Sequence, residues 1–181
     1  MLRVAFIKEF QSSRLRQFQP TFSTSIVAVF FLFLTSCSLF IRPQIPTGGL
    51  NSNKAEEYPS YSGDGRFLAF ASDRRPGHRD IFLYDLESRQ LIPLPNLNRR
   101  DSSQDQPALS ADGRYLAYVS TERGRTDVLV YDRETARSRL LTANVQGSVR
   151  QPTITADGAQ VAFQTNQLGQ WNIAIVDLGS E

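Results

Sequence analysis

The stretch YSGDGRFLAF, Tyr61 to Phe70, sets an Asp-Gly pair directly before an alternating apolar run, which reads as a turn feeding a strand. It is written three times. LSADGRYLAY follows at Leu109 to Tyr118 and ITADGAQVAF at Ile154 to Phe163, so that Asp64, Asp112 and Asp157 are spaced by 48 and 45 residues. A period of that length marks a supersecondary unit stacked on its own copies. Around each Asp-Gly pair the order of parts is the same. A Pro (Pro59, Pro107, Pro152) and a short extended segment precede it, and the alternating run RFLAFAS, RYLAYVS or AQVAFQT follows. A polar, Gly-bearing loop then leads to a second β-rich run, IFLYD, VLVYD or IAIVD, and the first two copies add QLIPL and SRLLT. Helical spacing is absent, and four short antiparallel strands joined by turns make a propeller blade.

The local chemistry explains the turn. An Asp side chain bonds backbone two residues on and Gly tolerates positive φ, so Asp64 with Gly65, Asp112 with Gly113 and Asp157 with Gly158 are read as structural turns. In the next strand the small Ala69, Ala117 and Ala162 point away from their bulky neighbours, such as Leu68 and Phe70, because side chains alternate across a strand. One thick and one pared face suit blades stacked radially. The third strand is apolar on both faces, with Ile81 and Leu83 opposite Phe82 and Tyr84, and such a strand is covered on both sides.

These motifs resemble the TolB-type propeller repeat of bacterial envelope proteins, over about Glu57 to the C-terminus. Ser62, Ser110 and Thr155 match its hydroxyl position, Asp80, Asp127 and Asn172 its polar residue before the third strand, and Asp85, Asp132 and Asp177 its closing Asp. The resemblance implies an all-β fold, a partial β-propeller of three four-stranded antiparallel blades at about 57–104, 105–149 and 150–181. The third is incomplete, since Ala159 and Gln160 stand where Arg and an aromatic stand in the other copies and the fourth run is missing. TolB-like proteins close a ring of more blades and carry a further N-terminal domain, for which this chain has no room. Three blades are expected to leave two bare apolar faces. Two copies head to tail would close them into a six-bladed ring, which makes a homodimer the expected assembly.

The N-terminal quarter has a different character. Arg3, Lys8, Arg14 and Arg16 lead into the apolar run IVAVFFLFL, Ile26 to Leu34, the layout of a secretory signal. The run ends in LTSC, which resembles the bacterial lipobox. That resemblance implies cleavage between Ser36 and Cys37, a lipid such as palmitate on Cys37, and a signal peptide at 1–36. The alternative is an uncleaved anchor, since Thr21 to Ile41 is long enough to cross a bilayer at about 20 residues. Either way the basic flank stays cytoplasmic and the rest is exported, to a lipid-anchored place in the bacterial envelope facing the periplasm or the exterior. Cys37 is the only cysteine, so an internal disulfide is excluded. Residues 37–56, with two prolines and a Gly pair, read as a flexible tether.

Four of the 20 Lys and Arg but one of the 18 Asp and Glu precede Cys37, which leaves the mature chain near −1 and removes the electrostatic footprint of nucleic-acid binding. Related repeats occur in prolyl-oligopeptidase-like peptidases, yet no Gly-x-Ser-x-Gly elbow is present. The reading is therefore no enzyme, no catalytic residue, no cofactor and no metal. Candidate partner contacts are Trp171, His78 and Arg79. The function expected is a lipid-tethered scaffold for envelope proteins, and the alternative is a binder of cell-wall glycan or a small ligand at the propeller face.

Overall fold

The computed structural model describes residues 49–179, so the expected cleavage and lipidation sites at Ser36 and Cys37 lie outside the described residues. The described chain is eleven antiparallel strands without a helix. Blade 1 comprises β1 (Glu56–Tyr61), β2 (Phe67–Ser72), β3 (Asp80–Asp85) and β4 (Gln90–Ile92). Blade 2 comprises β5 (Gln104–Leu109), β6 (Tyr115–Ser120), β7 (Asp127–Asp132) and β8 (Arg137–Leu140). Blade 3 has three strands, β9 (Val149–Ile154), β10 (Gln160–Thr165) and β11 (Asn172–Asp177). In each blade the strands pair in sequence order.

The prolines sit inside the first strands rather than at their starts. Each lies in a β-bulge, where register shifts between Glu57 and Ser60, between Asp105 and Ala108, and in β9 opposite Ala162 and Gln164. Proline has no N–H to give to the ladder, so a bulge is where a strand accommodates it. The residue before it takes positive φ in all three blades, at 53° for Tyr58, 52° for Gln106 and 50° for Gln151.

The hydroxyl and Asp of each turn work together. Ser62 donates its hydroxyl to Asp64 at 2.6 Å, and Asp64 accepts the Arg66 amide at 2.9 Å. Ser110 with Asp112 and Thr155 with Asp157 repeat this at 2.6 Å. These hydroxyl hydrogen bonds, with the backbone amides, hold all three Asp carboxyls below their ordinary range. Gly65, Gly113 and Gly158 follow at φ 71°, 66° and 72°.

The pared faces are where blades meet. Ala69, Ile81 and Leu83 on the front of blade 1 pack against Leu116, Tyr118, Leu129 and Tyr131 on the rear of blade 2. Ala117, Val128 and Val130 on the front of blade 2 meet Val161 and Phe163 on the rear of blade 3 in the same way. The turns are stitched along the same direction. Gly63 donates to the carbonyl of Ala111 at 2.8 Å, and Ala111 donates to that of Ala156 at 2.9 Å. Leu97, from the loop after β4, completes the first seam.

The expectation of two bare faces is corrected at blade 1. Its rear face, Leu68, Phe70 and Tyr84, is buried, and Leu50 packs on it. Arg74 fastens this cover: its guanidinium lies 5.1 Å from the ring centre of Phe70 and 5.0 Å from that of Phe82, and it donates to the carbonyls of Gly49 and Leu50. The last part of the stretch read as tether is therefore docked. A bulky apolar residue beside a cation that can lie over two rings supplies the contact a neighbouring blade would otherwise make.

Two glycines test the seam. Gly65 has open space around a Cβ, whereas a Cβ on Gly113 would come within 2.8 Å of the Phe67 ring of blade 1. Gly65→Ala should cost about 1 kcal/mol, the strain of a side chain at positive φ. Gly113→Ala should cost at least about 2 kcal/mol, because overpacking adds about 1–3 kcal/mol. Urea unfolding of both variants measures the difference, and equal losses would contradict the packing of Gly113 under Phe67.

Candidate functional site

The structure puts His78 and Arg79 at one place and Trp171 at another. His78 and Arg79 line a cleft of about 550 Å³ with Lys54, Asp73, Arg75 and Ser103. Arg79 is the centre of an ion-pair cluster. It reaches Glu57 at 2.6 Å and Asp73 at 3.1 Å in blade 1, and Asp105 at 3.5 Å in blade 2. Its pKa is raised, chiefly by the hydrogen bond to Asp73. Burial pushes the Asp105 carboxyl up, against the hydrogen bond from the Gln106 amide and the charge of Arg79, which pull it down. Arg75 is bound to the buried Asp80. The cleft thus places His78 beside two guanidinium groups already committed to carboxylates. Among the described residues no group of three or more His, Cys, Asp or Glu is placed to hold a metal ion, and no helix is long and apolar enough to cross a membrane.

Trp171 is the repeat equivalent of Arg79, since each immediately precedes the third strand of its blade. In blade 1 the carbonyl of Arg79 accepts the Gln104 amide at 2.8 Å, and in blade 2 the hydroxyl of Thr126 accepts the Val149 amide at 3.1 Å. That position therefore joins each blade to the first strand of the next. On blade 3 there is no next blade among the described residues, and Trp171 is 43% exposed. The Arg150 guanidinium stacks on its ring, 3.8 Å from the centre.

The whole front face of blade 3 is open in the same way. Ile173 and Ile175 correspond to the buried Ile81 and Leu83 of blade 1 and Val128 and Val130 of blade 2, yet they are 67% and 64% exposed. Burial of such a side chain is worth about 1.5–3 kcal/mol, so leaving both in water forgoes a large fraction of a domain's net stability. Leu168 in the preceding loop is also exposed. The amide of Ala156, which would continue the stitching of the turns, has no partner among the described residues. The sequence points to Trp171 here, and of the two bare faces it leads one to expect, the one at blade 3 is open: the third strand is covered on both sides in β3 and β7 but on one side in β11.

The last blade also differs in chemistry. Phe67 and Tyr115 lie against the turn glycines of the following blades, Gly113 and Gly158. Their equivalent in blade 3 is Gln160, which donates to Asp177 at 2.6 Å. In blades 1 and 2 that closing Asp is held by Arg66 at 3.0 Å and Arg114 at 2.9 Å, which lower the carboxyls of Asp85 and Asp132. At the rim of the second seam, Leu178 stands where Arg133 stacks on Phe67 in the first. A cleft of about 660 Å³ lies there, lined by Tyr115, Arg137, Arg139, Asp157 and Leu178 among others.

No family model matches the chain, and no curated protein does either. Among solved structures it is similar to TolB from Acinetobacter baumannii, with a TM-score of 0.54 and 25% identity over 68% of this chain and 30% of that one. A putative TolB from Agrobacterium tumefaciens gives 0.55 and 22% identity over 67% and 42% of the two chains. A puromycin-hydrolysing peptidase of Mycobacterium tuberculosis gives 0.52 and 20% identity over 70% and 20%. The chain spans less than half the length of either TolB structure. Its fold is a partial TolB-like β-propeller, and that fold is shared with an enzyme as well as with TolB.

The cluster around Arg79 carries a prediction. Arg79→Met leaves Glu57, Asp73 and Asp105 facing one another, and should destabilise the chain by about 2 kcal/mol at neutral pH, below the cost of breaking a fully buried pair. A carboxylate whose folded pKa is raised gains relative stability as the pH falls through that value toward its unfolded one, so the deficit should narrow between about pH 7 and about pH 4. Thermal unfolding at both pH values checks this, and a deficit that widens on acidification would contradict the assignment.

Proposed function

We propose that this chain is a non-catalytic, lipid-tethered protein of the bacterial envelope whose propeller blades serve as a scaffold for protein contacts. The observation that carries the reading is the open front face of blade 3, where Trp171, Ile173 and Ile175 are exposed in positions that the other two blades use for blade-to-blade packing. Exposed aliphatic residues beside an aromatic and an Arg are the composition of a protein contact surface. The basic-then-apolar N-terminal segment ending in LTSC supports export and a lipid on Cys37, and the likeness to TolB structures supports an envelope location. The glycan reading is less well supported, because Arg150 takes one ring face of Trp171 and the residues beside it on the open face are the aliphatic Ile173 and Ile175. Catalysis draws no support from the Arg79 cleft, whose two arginines, Arg75 and Arg79, are paired with carboxylates.

A photo-crosslinking residue at Leu168, in the full chain in its own envelope, should yield adducts that contain protein. Adducts of glycan alone, or none, would overturn the scaffold reading. Cys37→Ser should abolish labelling by a tagged fatty acid and leave an uncleaved or released form. Label retained on that variant would overturn the lipid tether.

A further inference from the structure

We propose that the open face of blade 3 pairs with the same face of a second copy, front to front across a two-fold axis. The inference rests on the scaffold reading and names its partner. Three observations carry it.

The first is what the chain denies to other arrangements. A head-to-tail ring needs the rear face of blade 1, and that face is covered by Leu50 under the Arg74 guanidinium. A partner of this chain therefore meets one open blade face among the described residues, the front of blade 3. An interface that uses the same patch on both copies is isologous and closes as a dimer.

The second is that this face is not shaped for a further blade of its own repeat. The aromatic that lies against the next turn glycine, Phe67 in blade 1 and Tyr115 in blade 2, is replaced by Gln160. Gln160 turns instead to Asp177 of its own blade. What remains at the centre of the face is the low, apolar group of Ala162, Ile173 and Ile175.

The third is charge. Paired residues share a face, so Arg150, opposite Gln164, lies at the end of the face where β11 begins, and Asp177, opposite Gln160, lies at the end where β11 stops. The Arg150 guanidinium stacks on the Trp171 ring and donates from Nε to Gln164 of β10 at 2.9 Å, which keeps it at that end of the face. Among the described residues neither Arg150 nor Asp177 takes part in an ion pair. A two-fold axis lying along the strands would set Arg150 against its own mate. An axis lying across them sets each Arg150 against the other copy's Asp177, with the isoleucines packed between, and oppositely charged ends fix that register. The face presents three strands, so the contact belongs among small, weak interfaces.

The test uses the full chain in mild detergent, read by native mass spectrometry and sedimentation velocity at tens of micromolar. Wild type should be a dimer. Arg150→Glu alone sets Glu against Asp177, and Asp177→Arg alone sets Arg against Arg150, so each variant should be monomeric. Mixed together, the two variants regain both opposite-charge contacts and should form a heterodimer within about tenfold of the wild-type affinity. A monomeric wild type, single variants that dimerise as well as wild type, or a mixture that stays monomeric would each overturn the proposal. A monomeric wild type that still gives crosslinks to other envelope proteins would remove the dimer and leave the scaffold reading standing.

Discussion

The close approach of one blade to the next is the constraint on which the rest of this chain depends. A sheet has two faces, and an isolated blade would leave both in water. Stacking works here because the second strand of blades 1 and 2 carries a fully buried alanine, Ala69 or Ala117, on the side turned to its neighbour. The neighbour fills that space with a leucine or valine and an aromatic. The same approach brings the turns within hydrogen-bond reach and leaves no room for a side chain at Gly63, whose Cβ would come within 2.7 Å of Ala111. Packing, turn chemistry and backbone bonding thus point to one arrangement, which is how a repeat specifies its stack.

Whatever ends such a stack must either cover its terminal face or leave it for something else. The chain does each once. At the first blade, Leu50 and Arg74 stand in for a neighbour, and Glu56 anchors Arg74 at 3.1 Å. At the third blade no cover is in place among the described residues, and isoleucines occupy positions that the other blades bury. The substitutions around that face are consistent with one another. Gln160, Trp171 and Leu178 each depart from what the earlier copies carry, and each lies where contact with a following or preceding blade is made in the other repeats. The function proposed above follows from this asymmetry between a closed end and an open one.

Much of this was legible in the sequence because the repeat is written in residues whose local chemistry is strong. Asp-Gly pairs, a preceding hydroxyl and period-two alternation place the strands and turns without tertiary information. Other features had no such signal. Arg89 and Ala136 adopt positive φ, at 56° and 54°, in hairpins that carry no glycine at those positions. Leu97 reads as loop yet is buried in the first seam, because its burial depends on Leu129 and Tyr131 of a blade that comes later in the chain. Gly63 carries no signal of its own in the sequence, and its role emerges only from the distance to Ala111. Leu50 reads as tether because proline, glycine and polar residues surround it, while the cation that docks it lies 24 residues away. At the candidate site, the sequence points to Arg79 and Trp171 and, through the alignment of Asp80 with Asn172, makes them equivalent positions on different blades, but it carries no signal that this position bonds to the first strand of the next blade.

Hydrogen bonds between successive turns join the three repeats into one stack, and among the described residues the third turn donates none onward. Residue-resolved amide hydrogen exchange tests it most directly, because the three amides occupy the same position of the same turn. Gly63 and Ala111 should be protected well above the level of exposed loop amides, while Ala156 should exchange at the rate of a solvent-facing turn. Gly63 and Ala111 exchanging as fast as Ala156 would contradict the stacking of the blades.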